Sequence, residues 1–263
     1  MTMKPMGPWK TLEVEREGPI LRVWLARPER RNAIGATMLQ EIGDCFRAIE
    51  QDFDTRIVVL GGRGKSFCAG ADRKPPADFD QARQPETPRA RRFETHLGRR
   101  AARAIEECEA LTVARVHGHA IGGGFVFALA CDFRIATDDA VFSLPEVELG
   151  VPLTWAGVPR LVQEVGMARA RELLIRCTRI AGDRALDWGV AHAAVTAGRL
   201  DDEVATWVRD LLDKPETAVH MTKTQLRGYS RSASMGDATE ADAELWAQAA
   251  RDPVFAERMR GKI

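Results

Sequence analysis

Two stretches of this chain could bring backbone N–H groups against a ligand. The first is Gly64-Lys-Ser-Phe-Cys-Ala-Gly70-Ala71-Asp72, which follows the apolar run Ile57-Val-Val-Leu60. Ala69, Gly70 and Ala71 carry too little side chain to hold a ligand away from the backbone. The second is His117-Gly-His-Ala-Ile-Gly122-Gly123-Gly124-Phe125, at the entrance of a predicted helix running from Gly122 to Ala130. Amides at a helix start are unpaired and lie at the positive end of the helix dipole, where a developing oxyanion is stabilised. Taken alone, each stretch reads more readily as a tight turn. Together they supply two independent backbone donors, which an oxyanion hole requires.

Other chemistries fail on spacing. Gly62-Arg-Gly-Lys65-Ser66 imitates the end of a phosphate loop, but that motif needs glycine where Val59 stands. Gly122-Gly-Gly124 opens a helix after a strand, yet a dinucleotide fingerprint begun at Gly122 requires glycine where Phe127 stands. There is no G-x-S-x-G elbow, and Ser143 has no evident His or Asp partner in sequence, so a serine hydrolase is unsupported.

The elements that must position these stretches can be read from periodicity. Leu12-Glu-Val-Glu and Ile20-Leu-Arg-Val-Trp-Leu flank Glu17-Gly18-Pro19 and predict a hairpin. Met38, Leu39, Ile42, Phe46 and Ile49 fall on one helical face of residues 36–50. Ile57–Leu60 predicts a buried strand ended by Gly61-Gly62, and residues 73–92, rich in Pro, Arg and Asp, predict a loop. A helix should then run to about Leu111. Strands at Thr112–His117 and Asp132–Ala136 flank the glycine turn and its helix, and Ala140–Ser143 follows. From Pro145 the pattern is largely helical, with a short strand near Ala193–Val195 and Pro215 at a helix start. Strand–turn–helix units giving way to a helical tail imply an α/β fold with a C-terminal helical subdomain.

Lys+Arg and Asp+Glu both number 38, so no global positive field would recruit nucleic acid or an anionic membrane. Arginines cluster locally at 89, 91, 92, 99 and 100, as a solvated face or as contacts to a phosphorylated ligand. The five cysteines are an odd number without a C-x-x-C, which argues against a disulfide framework or zinc knot and for a reducing compartment. No signal-like apolar segment opens the sequence, and no apolar run of about 18 residues appears. The expectation is a cytoplasmic protein with no metal site.

In register along the chain, several motifs resemble the crotonase (enoyl-CoA hydratase/isomerase) family. They are Arg27-Pro-Glu-Arg30-Arg-Asn-Ala33, Phe67-Cys-Ala-Gly-Ala-Asp72, Gly118-His-Ala-Ile-Gly-Gly-Gly124, Cys131-Asp132 and Phe142-Ser-Leu-Pro-Glu146-Val-Glu-Leu-Gly150. The resemblance spans about residues 10 to 200. It implies a spiral of ββα units over residues 1–200 holding a coenzyme A (CoA) and oxyanion site. Residues 201–263 would then form a helical region that builds a homotrimer or hexamer, with Trp207, Trp246, Val254 and Phe255 buried between subunits. It implies an acyl-CoA thioester as substrate, with no separate cofactor because CoA is part of that substrate.

The resemblance also assigns residues. The N–H groups of Ala71 and Gly123 would bind the thioester oxygen, beside Gly122. Arg30 to Ala33 would lie along the CoA adenine and phosphates, and Ala69, Asp72 and Lys74 along the CoA path. Hydratases of the family use two glutamates. Glu146 matches the second, but Val126 stands where the first would be and cannot move a proton. One carboxylate suffices to shift a double bond, so the resemblance favours a single-glutamate isomerase. Alternatives are a hydratase with another acid–base group, or an acyl-CoA-binding protein without turnover. Asp72 and His96 are the other titratable candidates, Asp72 for its own turn's donors and His96 for a helix face. Thr154 and Trp155 replace a glycine-rich turn and should reshape the acyl end of the pocket.

Overall fold

Gly18 and Pro19 reverse the chain between β1 (Leu12–Glu17) and β2 (Ile20–Leu25), which pair antiparallel from Leu12 opposite Leu25 to Glu17 opposite Ile20. This hairpin is the edge of a six-stranded sheet in a computed structural model that describes residues 7–72, 87–233 and 242–259. Helix α1 (Ala36–Ile49) buries Met38, Ile42, Phe46 and Ile49, the face expected from their spacing. Strand β3 (Ile57–Gly62) follows, then α2 (Pro88–Thr95), α3 (Leu97–Glu107) and β4 (Leu111–Val116). Next come β5 (His119–Ile121), α4 (Gly123–Ala130), β6 (Phe133–Thr137) and β7 (Val141–Ser143). The chain continues through α5 (Gly157–Ile175), α6 (Gly182–Asp187), β8 (Ala193–Val195), α7 (Leu200–Leu212) and α8 (Glu216–Ala233). It closes on α9 (Asp242–Ala249) and α10 (Pro253–Met259).

The large sheet has the order β1-β2-β3-β4-β6-β8, parallel from β2 onward, and β5 pairs with β7 in a separate two-stranded sheet. Strands buried on both faces read as continuous apolar runs, and Ile57–Leu60 is such a run. Gly61 and Gly62 extend β3 rather than end it. A side chain at 61 would collide with the Trp24 ring from β2, so the glycine is what lets that indole lie on the sheet. The short β5 lies inside what periodicity gave as a turn, because three residues carry too little pattern. Of the loop expected at 73–92, residues 73–86 lie outside the described residues. From Pro88 the chain is helical, with Thr87 Oγ1 accepting from the Ala90 N–H at 3.1 Å. Helix α3 stops at Glu107, short of Leu111, which joins β4.

The tail is not detached from the core. Val204 and Val208 of α7 pack with Ile57, Val59, Val113 and Ile135 on one face of the sheet. Trp207, expected between subunits, meets Phe133 and His192 of its own chain at 5.6 and 6.0 Å. All five cysteines are buried and unbridged. Burial pushes the Cys68 and Cys131 thiols up to about 12, so both act as small core residues rather than nucleophiles. Among the described residues no helix is long and apolar enough to cross a membrane.

Candidate active site

The two small-residue stretches meet. Cys68 bridges Ala120 in parallel, with Cys68 N–H donating to His119 C=O at 2.8 Å and Ile121 N–H to Cys68 C=O at 3.0 Å. Gly70, at φ +83, brings its Cα so close to β5 that a Cβ there would lie 2.8 Å from the Ile121 oxygen. The loop carrying Ala71 is thereby set against Gly122.

Backbone pairing leaves the two expected donors available. Ile34 bridges Ala71, but the bonds run from Ile34 N–H to Gly70 C=O and from Asp72 N–H to Ile34 C=O, both outside Ala71's own N–H. Gly123 is the first residue of α4, so its N–H has no carbonyl within the helix to reach. The Asn32 side chain holds the loop from behind. Its Nδ2 donates to the Ser66 and Arg63 carbonyls at 2.8 and 2.9 Å, and its Oδ1 accepts from Arg27 N–H at 2.9 Å. The resemblance had placed Asn32 only within a CoA-binding stretch. Its hub role depends on partners some thirty residues away, which sequence spacing does not display.

A cavity of about 440 Å³ opens in front of these amides, lined by Ala69, Gly70, Ala71, Gly122, Gly123, Val126, Glu146, Thr154 and Trp155. Glu146 begins the short 3-10 turn Val147–Leu149, and its Oε1 sits where a Cβ on Gly122 would be 2.6 Å away. Gly122, at φ +53, is therefore required both by its backbone and by the carboxylate lying on it. The Oε2 atom is shielded from solvent with no hydrogen-bond partner among the described residues. Burial pushes the Glu146 carboxyl up to about 7, opposed weakly by a hydrogen bond with its own backbone. Val126 is fully buried, so no carboxylate enters the cavity at that helix position.

Trp155 forms a second part of the wall. Its indole fills a slot between α3 and α4, where a Cβ on either Gly98 or Gly123 would collide with the ring. It stacks on Phe127 with centroids 5.7 Å apart and planes at 22°. Both Trp155 and Ala156 have positive φ, at +59 and +57. Arg160 donates to the Trp155 and Ala156 carbonyls at 2.8 and 3.1 Å, and Asp242 of α9 accepts from the Ala156 N–H at 2.8 Å.

The remaining expected residues fall elsewhere. Asp72 accepts from Arg27 at 2.9 Å and Arg30 at 2.8 Å, a buried cluster rather than part of this cavity's wall. Arg30 and Ala33 likewise do not line the cavity, and Lys74 lies outside the described residues. His96, expected on a helix face, is buried and lines the cavity. Asp242, Trp246, Phe255 and Met259 of α9 and α10 line it too, so the site draws on the tail as well as residues 1–200.

Comparison with known proteins finds relatives along most of the chain. The family model described as enoyl-CoA hydratase/isomerase matches residues 15–257. A short-chain-enoyl-CoA hydratase of Clostridium acetobutylicum is 33% identical over 211 residues, covering 80% of this chain and 78% of the relative. A peroxisomal Delta(3,5)-Delta(2,4)-dienoyl-CoA isomerase of Arabidopsis thaliana is 32% identical, covering 84% and 83%. Among solved structures, a putative enoyl-CoA hydratase from Thermobifida fusca in complex with acetoacetyl-CoA is 32% identical. It superposes with a TM-score of 0.76 over 92% of this chain and 94% of its own.

Proposed function

Because the chain belongs to the enoyl-CoA hydratase/isomerase family, we propose that it moves a double bond in an acyl-CoA thioester with Glu146 as the sole proton shuttle. The observation that carries this reading is the Glu146 carboxyl, shielded and pushed up to about 7 in a lining that also holds Glu94, Glu148 and Asp242. It shares the cavity with the Ala71 and Gly123 amides, and Val126 stands at the helix position where the family's hydratases carry a second glutamate. The thioester oxygen accepts from the Ala71 and Gly123 N–H groups. Glu146 removes the α-proton of a β,γ-unsaturated thioester, and the enolate charge gathers on that oxygen. The protonated Glu146 then returns the proton at the γ-carbon, leaving the α,β double bond and the free carboxylate. Such a base is most effective with a pKa near the working pH. Coenzyme A enters as part of the substrate, and no separate cofactor takes part.

Glu146→Gln tests this directly. The variant should bind acyl-CoA as the parent does and lose isomerisation by about 10³-fold, within the range for general acid–base groups. Isomerisation surviving in that variant would refute the single-base mechanism. Strong water addition by the unaltered protein would instead favour a hydratase, the activity named for the Clostridium relative. The same reading includes self-association. Met221, Leu226 and Tyr229 stand exposed on α8, and light scattering should report a trimer or hexamer. A monomer at micromolar concentration would contradict it.

A further inference from the structure

Among the described residues, two side-chain atoms of the cavity lining are shielded from solvent and lack a hydrogen bond: Glu146 Oε2 and His96 Nε2. The proposed chemistry uses the first and leaves the second unexplained. The His96 side chain is 7% exposed, at the junction of α2 and α3. Its nearest carboxylate oxygen, Glu244 Oε1, stands 3.6 Å from Nε2. That is longer than a hydrogen bond, although the contact is among the causes that hold the Glu244 carboxyl below its ordinary value, after a hydrogen bond with its own backbone. The same oxygen also accepts from Arg92 Nε at 3.1 Å. Buried polar atoms in native proteins are nearly always paired, and an unpaired one calls for a reason.

None of the polar residues that share the lining, among them Thr95, Arg99, Thr154 and Asp242, hydrogen-bonds His96 Nε2. Val151, Leu153, Trp155 and Trp246 present hydrocarbon and aromatic surface. A plain acyl chain laid along them would bury His96 Nε2 further without satisfying it. An oxygen on the chain would satisfy it, a hydroxyl in either tautomer of the ring and a carbonyl when Nε2 carries the proton. Sites built to pair a substrate's polar group discriminate sharply against the analogue that lacks it.

We infer that His96 Nε2 hydrogen-bonds an oxygen substituent on the acyl chain, so that this site selects oxygen-bearing acyl groups over plain hydrocarbon ones. The inference rests on the acyl-CoA reading of the cavity and not on which proton transfer Glu146 performs. Its test is therefore a binding measurement with saturated thioesters that have no double bond to move. Calorimetry would compare hexanoyl-CoA with 4-, 5- and 6-hydroxyhexanoyl-CoA and the corresponding keto compounds.

At one chain position the oxygenated thioester should bind about tenfold more tightly than hexanoyl-CoA, the scale of one buried hydrogen bond. His96→Phe should erase that preference while leaving hexanoyl-CoA affinity unchanged or improved, and His96→Gln should retain part of it. Equal affinities across the series for the unaltered protein would overturn the inference, whatever the variants do. So would a preference that survives in His96→Phe. Failure to bind any of these thioesters would overturn the acyl-CoA reading as well, whereas equal binding would overturn this inference alone.

Discussion

Asp72 and Glu146 are both shielded carboxylates in the same quarter of the molecule, one next to a candidate oxyanion donor in sequence and the other lying on Gly122 in space. Their surroundings are opposite. The Asp72 side chain is 3% exposed and holds two guanidinium groups, Arg27 and Arg30. Among the described residues Glu146 has no cation beside it and no donor on Oε2, and burial lifts its carboxyl to about 7. Asp72 accepts charge-assisted hydrogen bonds from both arginines. Glu146 stands where both protonation states lie within reach of neutral pH, the property a group that takes and returns a proton must have. Proximity to the amides does not separate a structural carboxylate from a reactive one. Partners do.

The comparison breaks most visibly at Asp72. Asp72→Asn would remove the carboxylate that accepts from Arg27, itself 3% exposed, and from Arg30. Removing one member of a buried pair costs about 3–5 kcal/mol. Urea titration should show a loss of that size at neutral pH. A loss below about 1 kcal/mol would mean that the pair is worth no more than an exposed one.

Glu146 should respond with the reverse sign. In the unfolded chain its carboxyl releases a proton near 4.5, and in the folded protein near 7. The folded state therefore holds the proton more tightly. The stability associated with the protonated form is complete below 4.5 and is lost as pH rises through 7. Above that the ionised group costs about 3 kcal/mol, from some 2.5 pH units at about 1.4 kcal/mol each. Glu146→Gln, which loses turnover, should thus gain up to about 3 kcal/mol at pH 8 and about nothing near pH 4. Turnover by the unaltered protein should fall on the acid side of about pH 7. A variant no more stable than the parent at pH 8 would remove the contrast with Asp72.

The parts of this site that were legible in sequence are those set by local rules. Gly70, Gly122 and Gly123 stand at backbone positions where a side chain would strike a neighbour, so their types announce the turns. The hairpin, α1 and β3 follow from short periodicities. What was not legible depends on partners far along the chain. Asp72 finds its arginines 45 and 42 residues back, and nothing in its local sequence distinguishes that from a turn's own hydrogen bonds. His96 sits in a helical pattern, and only the approach of the C-terminal helices turns its face into a cavity wall. The same long-range closure put Trp246 and Phe255 into that wall rather than only into a tail reserved for association.

Gly98 sharpens the comparison most gently, because it probes the Trp155 part of the wall and leaves both carboxylates untouched. The Trp155 ring is wedged between Gly98 and Gly123 and backed by Phe127. Its turn is pinned by Arg160 and by Asp242. Gly98→Ala gains about 0.8–1 kcal/mol of helix propensity. The new methyl overlaps the indole, a clash at or above the upper end of the about 1–3 kcal/mol typical of a well-packed interior. Net stability should fall by about 2 kcal/mol or more, and the ring must yield toward Gly123, narrowing the space beside the proposed oxyanion donor. Activity across a series of enoyl-CoA chain lengths should then shift toward the shorter members, while the acid-side inflection near pH 7 stays where Glu146 sets it. A chain-length profile unchanged in Gly98→Ala would mean that Trp155 does not bound the acyl end. A moved inflection would mean that the indole, and not burial alone, holds Glu146 at its raised pKa.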